Sequence, residues 1–191
     1  MLVVRKGINS ARLKLRGRGE RVPCFRRDDG ETEFMTSPNS LSRSPPSAVS
    51  ANTIVSSLLS VQTPGRGFVD LTAEIAGFVK DAGAIGGMVT LFIRHTSASL
   101  TIQENADPSV LRDLTAALDR LAPENAGWSH DAEGPDDMPA HVKTMLTAAS
   151  LHIPVVNGEL MLGTWQAIYL IEHRLRPHRR EIVLQFVGAS A

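Results

Sequence analysis

Ile153-Pro154-Val155-Val156-Asn157-Gly158-Glu159-Leu160-Met161-Leu162 is the stretch that decides the fold class. Two short apolar runs flank an Asn-Gly pair, the strongest short hairpin signal, because both central residues of the favoured turn need positive φ and Asn and Gly adopt it most readily. A hairpin is an antiparallel pair. Two further runs rich in branched and aromatic residues, Trp165 to Ile171 and Glu181 to Val187, come next around a basic turn from Arg174 to Arg180. Strands that cluster in sequence, instead of alternating with helices, predict an α+β domain built on a largely antiparallel sheet or sandwich.

Upstream, Thr53 to Thr63 reads as an opening strand and Pro64-Gly65-Arg66-Gly67 as a turn. In Thr72 to Lys80, Ile75, Phe78 and Val79 recur at helical spacing, with Gly83 as the stop. Met88-Val89-Thr90-Leu91-Phe92-Ile93 is too short for a membrane span and has the make-up of an interior strand, so its end delivers His95 to the rim of a sheet. Asp107-Pro108 opens a second helix, the carboxylate accepting first-turn amides and the proline occupying the first helical position, with Leu111, Leu114, Leu118 and Leu121 along one face. A third helix is expected over Pro139 to Ser150, with Met145, Leu146 and Ala149 facing inward, Asp137 near its positive end and His141 in its first turn.

Three polar clusters punctuate this framework: His95-Thr96-Ser97-Ala98-Ser99 running on to Gln103-Glu104-Asn105; His130-Asp131-Ala132-Glu133-Gly134-Pro135-Asp136-Asp137-Met138-Pro139-Ala140-His141; and Gly163-Thr164-Trp165-Gln166, closing with Glu172-His173-Arg174. In order and spacing they resemble the YjbQ family, small proteins described as secondary thiamine-phosphate synthases. The resemblance spans roughly Ser50 to Val187, and three ordered motifs are far more specific than one. It implies a homotrimer with sites near subunit boundaries. It also implies an enzyme that joins hydroxymethylpyrimidine diphosphate to a thiazole phosphate, releasing diphosphate, as a main or a side activity.

The first fifty residues differ from the rest. They carry ten of the twenty Lys and Arg but five of the twenty Asp and Glu, and Ser37 to Ser50 is dominated by Ser, Pro and Asn. Such a segment does not bury enough apolar surface to offset chain entropy, so residues 1–50 read as a disordered tail and 51–191 as the folded domain. Either a solvated tail or a mis-assigned start codon, with Met35 as an internal start, accounts for it. A nucleic-acid-binding arm is disfavoured, since the basic residues lack interleaved aromatics. The single cysteine, Cys24, excludes an intrachain disulfide. With no apolar run long enough to cross a bilayer and no secretory apolar core, the expectation is a soluble cytoplasmic protein with no membrane partner.

The chemistry is set by residue type. A lone His behind a strand is ordinarily a satisfied, partly buried side chain. Imidazoles from separate segments, however, suit zinc and leave a coordination position open. The spacing of His130 and His141 is not that of a zinc finger; that His95, His130 and His141 meet on one ion is what the resemblance implies. Zinc is the expected metal, with magnesium an alternative if the substrate carries a diphosphate. Asp131 and Glu104 join His95 as candidate catalytic groups, for general acid or base work, although a solvated turn and a charged strand end explain them equally. Asp136 and Asp137 suit an outer shell around an imidazole.

Thr96, Ser97 and Ser99 lack the surroundings of a nucleophile elbow, and with Gly163, Thr164, Gln166 and Arg174 they are expected to contact a small phosphorylated substrate. A metal-dependent hydrolase of a phosphorylated metabolite and a non-enzymatic metal or small-ligand binding protein are the alternative readings of the same pocket. Because residues 1–50 lack any core-forming pattern, their deletion is expected to change the unfolding free energy by less than about 1 kcal/mol, measured by denaturant titration against the full chain.

Overall fold

The structure is a computed structural model in which residues 41–191 are described. The greater part of the expected tail, residues 1–40, lies outside the described residues, while 41–52 are exposed and without regular secondary structure. From Ser47 onward the chain forms one unit.

Its elements run β1 (Thr53–Thr63), β2 (Gly67–Asp70), α1 (Thr72–Asp81), β3 (Ala84–Ile93), β4 (Ala98–Glu104), α2 (Pro108–Leu121), α3 (Asp137–Leu146), β5 (Ser150–Val156), β6 (Glu159–Leu160), β7 (Gln166–Glu172) and β8 (His178–Ser190). The strands form a five-stranded sheet in the order β1-β8-β3-β5-β6 and a three-stranded sheet in the order β2-β7-β4. Every ladder is antiparallel, so the fold is α+β as the clustering of strands requires. The inner faces of the two sheets and one stripe of α1 share a core that includes Ile75, Val79, Leu91, Leu100, Ile168, Leu170, Ile182 and Phe186.

Local chemistry explains the boundaries. Asp107 caps α2 through its carboxylate, which accepts from the Ser109 N–H at 2.7 Å, with Pro108 behind it. Gly83, at φ 61°, ends α1 by donating to the Lys80 carbonyl at 2.9 Å. Asn157 and Gly158, at φ 53° and 81°, make the turn between β5 and β6. Between β3 and β8 the backbones approach so closely that a Cβ on Gly87 would strike the Val187 carbonyl, and one on Gly188 the Gly86 carbonyl. The register shifts at that point, where a bulge separates Ala84 from Gly86.

Two expectations need correction. The third helix ends at Leu146 instead of Ser150, because tertiary pairing captures the next residues: Leu100 donates to the Ala148 carbonyl at 2.7 Å and Ile93 to the Ala149 carbonyl at 3.0 Å. Its buried residues are Asp137, Pro139, Ala140 and Lys143, while Met145 (85% exposed) and Leu146 face out and Ala149, beyond the helix, is exposed. The leucine face of α2 is likewise only half-covered, with Leu121 exposed, and the helix has no fully buried residue among the described residues.

The outer face of the five-stranded sheet carries an ordered pattern. Register places Ile54, Val187, Met88 and Pro154 in one cross-strand row and Leu58, Val183, Phe92 and Ser150 in another. Between them runs a polar row, where Gln185 donates to Ser56 at 3.1 Å and Thr90 meets His152 Nδ1 at 3.0 Å. Ile54, Leu58, Met88 and Phe92 are exposed there. No helix among the described residues is long and apolar enough to cross a membrane.

Candidate functional site

Antiparallel pairing of β4 with β7 sets Ala98 opposite Glu172 and Glu104 opposite Gln166. One end of this ladder therefore gathers the His95–Ser97 connection and the Glu172–Arg174 segment. A buried ion pair forms its floor. Arg180 grips Glu172 with Nε and Nη2, each at 2.7 Å, while Thr63 Oγ1 donates to the same carboxylate at 2.9 Å and the Arg174 N–H at 3.0 Å. Burial alone would raise the Glu172 pKa; these donors, Arg180 first, outweigh it and hold the carboxyl below the usual range. Next to it, His173 Nε2 and Ser99 Oγ lie 2.8 Å apart, both buried. Burial, reinforced by the Lys143 charge, lowers His173 to about 4, so this imidazole is neutral at pH 7.

Above that floor sits a cluster of metal-ligating type. Asp137 is the first residue of α3 and His141 lies one turn on, so both project from one helix face. The loop after α2 supplies His130 and is braced by Trp128 Nε1, which donates to the Pro123 carbonyl at 2.8 Å. Asp137 Oδ2 lies 2.9 Å from His130 Nε2 and 3.6 Å from His141 Nε2, and the three ligand atoms fall within 4.8 Å of one another. His141 Nδ1 is 3.0 Å from the Thr96 carbonyl. A carbonyl only accepts, so Nδ1 carries a proton and Nε2 is the ring nitrogen turned to the cluster, the orientation that suits a metal-ligating imidazole.

The expected site residues divide between the two ends of the sheet. His95 is near His141 but outside the His130–Asp137–His141 set; its Nε2 accepts the Glu181 N–H at 2.9 Å. Burial, then the charge of Arg180, keeps the His95 pKa below its ordinary value. His95, Thr96, Ser97 and His141, with Phe92 and Met145 at the rim, line an open hollow of about 810 Å³. Ser97 Oγ accepts from Arg180 at 3.1 Å, whereas Ser99 is turned into the core toward His173. Asp131 lies beside His130 in a second, smaller hollow of about 330 Å³.

Glu104 and the Gly163–Gln166 turn are at the opposite end of the β4–β7 ladder, about 20 Å away at the strand rise of ~3.4 Å per residue. There the Gly163 N–H donates to the Gln166 side chain at 2.8 Å, closing the turn on itself and leaving Thr164 and Trp165 at its tip. Arg174 turns to Asp136 and Asp137.

Residues 57–189 match the family profile described as UPF0047 protein YjbQ-like. The chain belongs to the YjbQ family. It is 48% identical to UPF0047 protein sll1880 of Synechocystis over 69% of this chain and 90% of that one, and 40% identical to UPF0047 protein YjbQ of Escherichia coli O157:H7 over 68% and 95%. Among solved structures, the conserved hypothetical protein TT1486 from Thermus thermophilus superposes with a TM-score of 0.60 at 38% identity, covering 66% of this chain and 97% of that one. An uncharacterised YjbQ/UPF0047 protein from Clostridium acetobutylicum gives 0.61 at 36% identity, covering 69% and 98%.

In this YjbQ family member Asp137 is the site residue that sequence reading undervalued. Its signal is an Asp and a His four residues apart, but a helix begun at Pro139 leaves Asp137 outside the turn that aligns them.

The buried floor predicts acid sensitivity. A His whose folded pKa is depressed leaves the unfolded chain holding more protons between about 4 and the ordinary value of 6.5, so stability falls as pH drops through that window. Glu172 adds a further loss below the ordinary carboxylate range, as pH falls through its depressed folded pKa. Equilibrium unfolding should show the wild type losing roughly 1 kcal/mol per pH unit between pH 6 and 4.5, and His173→Gln a shallower slope.

Proposed function

We propose that the protein is a metal-dependent enzyme acting on a small phosphorylated substrate, with His130, Asp137 and His141 holding one divalent ion. The observation that carries this reading is the convergence of two imidazole nitrogens and a carboxylate oxygen, one imidazole being locked by the Thr96 carbonyl. Two imidazoles and one carboxylate suit zinc better than magnesium, which prefers an all-oxygen shell. A bound ion would supply a Lewis acid for an anionic oxygen of the substrate.

The chain's own groups do the rest. With Nε2 committed to the Glu181 amide, His95 carries its proton on Nδ1 and serves as a neutral hydrogen-bond donor beside the hollow. The Ser97 hydroxyl, accepting from Arg180, keeps its own proton to donate to a phosphate oxygen. Asp131, which borders the smaller hollow beside His130, is the carboxylate proposed to receive a proton. The apolar rim of Phe92 and Met145 suits the organic part of the substrate.

Thiamine-phosphate synthesis is the specific form of this reading, supported by the family resemblance. Hydrolysis of a phosphorylated metabolite is the second form, and one observation favours it. Arg174 and Arg180 are matched with carboxylates, and Arg94 pairs with Glu181 at 3.1 Å, so a departing diphosphate would find few uncommitted cations. The cytoplasm is the compartment proposed for either reaction.

Metal analysis of the purified protein is expected to give one zinc per chain. His130→Ala and His141→Ala should lose it while remaining folded, and His95→Ala should retain it but slow turnover at least 10-fold. Thiamine phosphate formation from the two phosphorylated precursors, run beside phosphate release from a panel of monoesters, separates the two reactions. Metal-free wild type from zinc-supplemented growth would overturn the reading, and metal without either activity would make this a binding protein.

We also propose self-association into the homotrimer that the resemblance implies. It is supported by the two exposed apolar rows on the outer sheet face, since monomers seldom leave such patches uncovered. Sedimentation analysis should give a trimer for the wild type and smaller species for a Leu58→Glu, Phe92→Glu double variant.

A further inference from the structure

Arg174 lies two residues beyond the end of β7, and its side chain is only 12% exposed. All three of its nitrogens are committed to one loop. Nε donates to Asp136 Oδ2 at 3.2 Å, Nη1 to Asp137 Oδ1, and Nη2 to the Glu133 carbonyl at 2.7 Å. The Leu175 N–H adds a bond of 2.8 Å to Asp136 Oδ2, so backbone and side chain of the same segment hold the turn that opens α3.

The two oxygens of Asp137 are thereby divided. Oδ1 meets the guanidinium, and Oδ2 meets both imidazoles. The terminal torsion of an aspartate is soft, and an unanchored carboxylate would sample orientations that offer either oxygen or neither. A planar fork gripping two neighbouring carboxylates removes that freedom.

We propose that Arg174 is a positioning residue for the cation site, fixing Asp137 so that Oδ2 alone is presented to the ion held with His130 and His141. This rests on the metal-binding reading above. Charge and geometry make opposite demands, which makes the role measurable. If the guanidinium acted only through its charge, removing it would tighten cation binding, because a positive neighbour repels a cation. If it acts through geometry, removing it weakens binding, as loss of partners behind a ligand does by about 10- to 100-fold. Lysine isolates the second effect, since it keeps the charge and loses the fork.

The test is calorimetric titration of zinc into the full chain, with cobalt(II) absorption as a report on ligand geometry. Wild type should bind one ion; Arg174→Lys should bind 10- to 100-fold more weakly with an altered cobalt spectrum; Arg174→Ala should be weakened too and partly restored by guanidinium ion at sub-denaturing concentration. Arg174→Lys matching wild type in affinity and spectrum, or Arg174→Ala binding more tightly, would overturn the positioning role while leaving the metal site standing. A wild type that binds neither ion would overturn the metal site and the positioning role together.

Discussion

The buried Glu172–Arg180 pair is the interaction on which the remainder of the site depends. Glu172 belongs to the three-stranded sheet, Arg180 and Thr63 to the five-stranded one, and Ser97 to the connection between them. Four segments thus meet at one ion pair, Thr63 on its carboxylate and Ser97 on its guanidinium. Such a pair adds little net stability relative to a well-packed apolar alternative, but removing one member strands a buried charge at a cost of about 3–5 kcal/mol. Its value here is geometric. It fixes the ends of β7 and β8 against the residues after β3, and so sets where His95, Thr96 and Arg174 stand.

From that anchor the site divides into a rigid wall and a helix end. The wall contributes the Thr96 carbonyl and the Arg174 guanidinium, both fixed by the sheets; the helix contributes Asp137 and His141 in the separation that one turn imposes. His130 is the member from irregular chain, and it is half exposed. The least constrained of the three side chains is also the one beside the smaller hollow that Asp131 lines.

Much of this was legible in the chain. The Asn157-Gly158 turn, the Asp107 cap and the grouping of strands near the C-terminus each arise from short-range rules, and each has a local cause in the structure. The features that escaped have a physical reason. Pro139 is the third residue of α3, not the first, because all of the first-turn amides lack helical partners and a proline is tolerated at any of them. Placing the start two residues late hid the Asp137–His141 pairing. Placing the end late ignored the pairing of Ala148 with Leu100, which no local signal encodes. Glu104 and Gly163–Gln166 belong to polar clusters of the same kind as His95, yet antiparallel pairing carries them to the far end of β4 and β7. Chain order alone does not tell which end of a ladder a motif occupies.

The short span from His130 to His141 has a thermodynamic consequence. All three side chains of the proposed cation site fall within twelve consecutive residues, so the denatured chain keeps them at high mutual concentration, with only a modest loop-closure cost. An ion bound at the proposed site would then also be held weakly before folding. Since a ligand stabilises the native state only by its preference over the denatured one, any such residual capture subtracts from the stabilisation that saturating ion confers. The Thr96 carbonyl and the Arg174 fork come from distant sequence, and they exist as a cradle only in the folded protein. On the proposed reading, the discrimination of an ion between folded and unfolded forms would therefore reside in these outer partners more than in His130, Asp137 and His141 themselves.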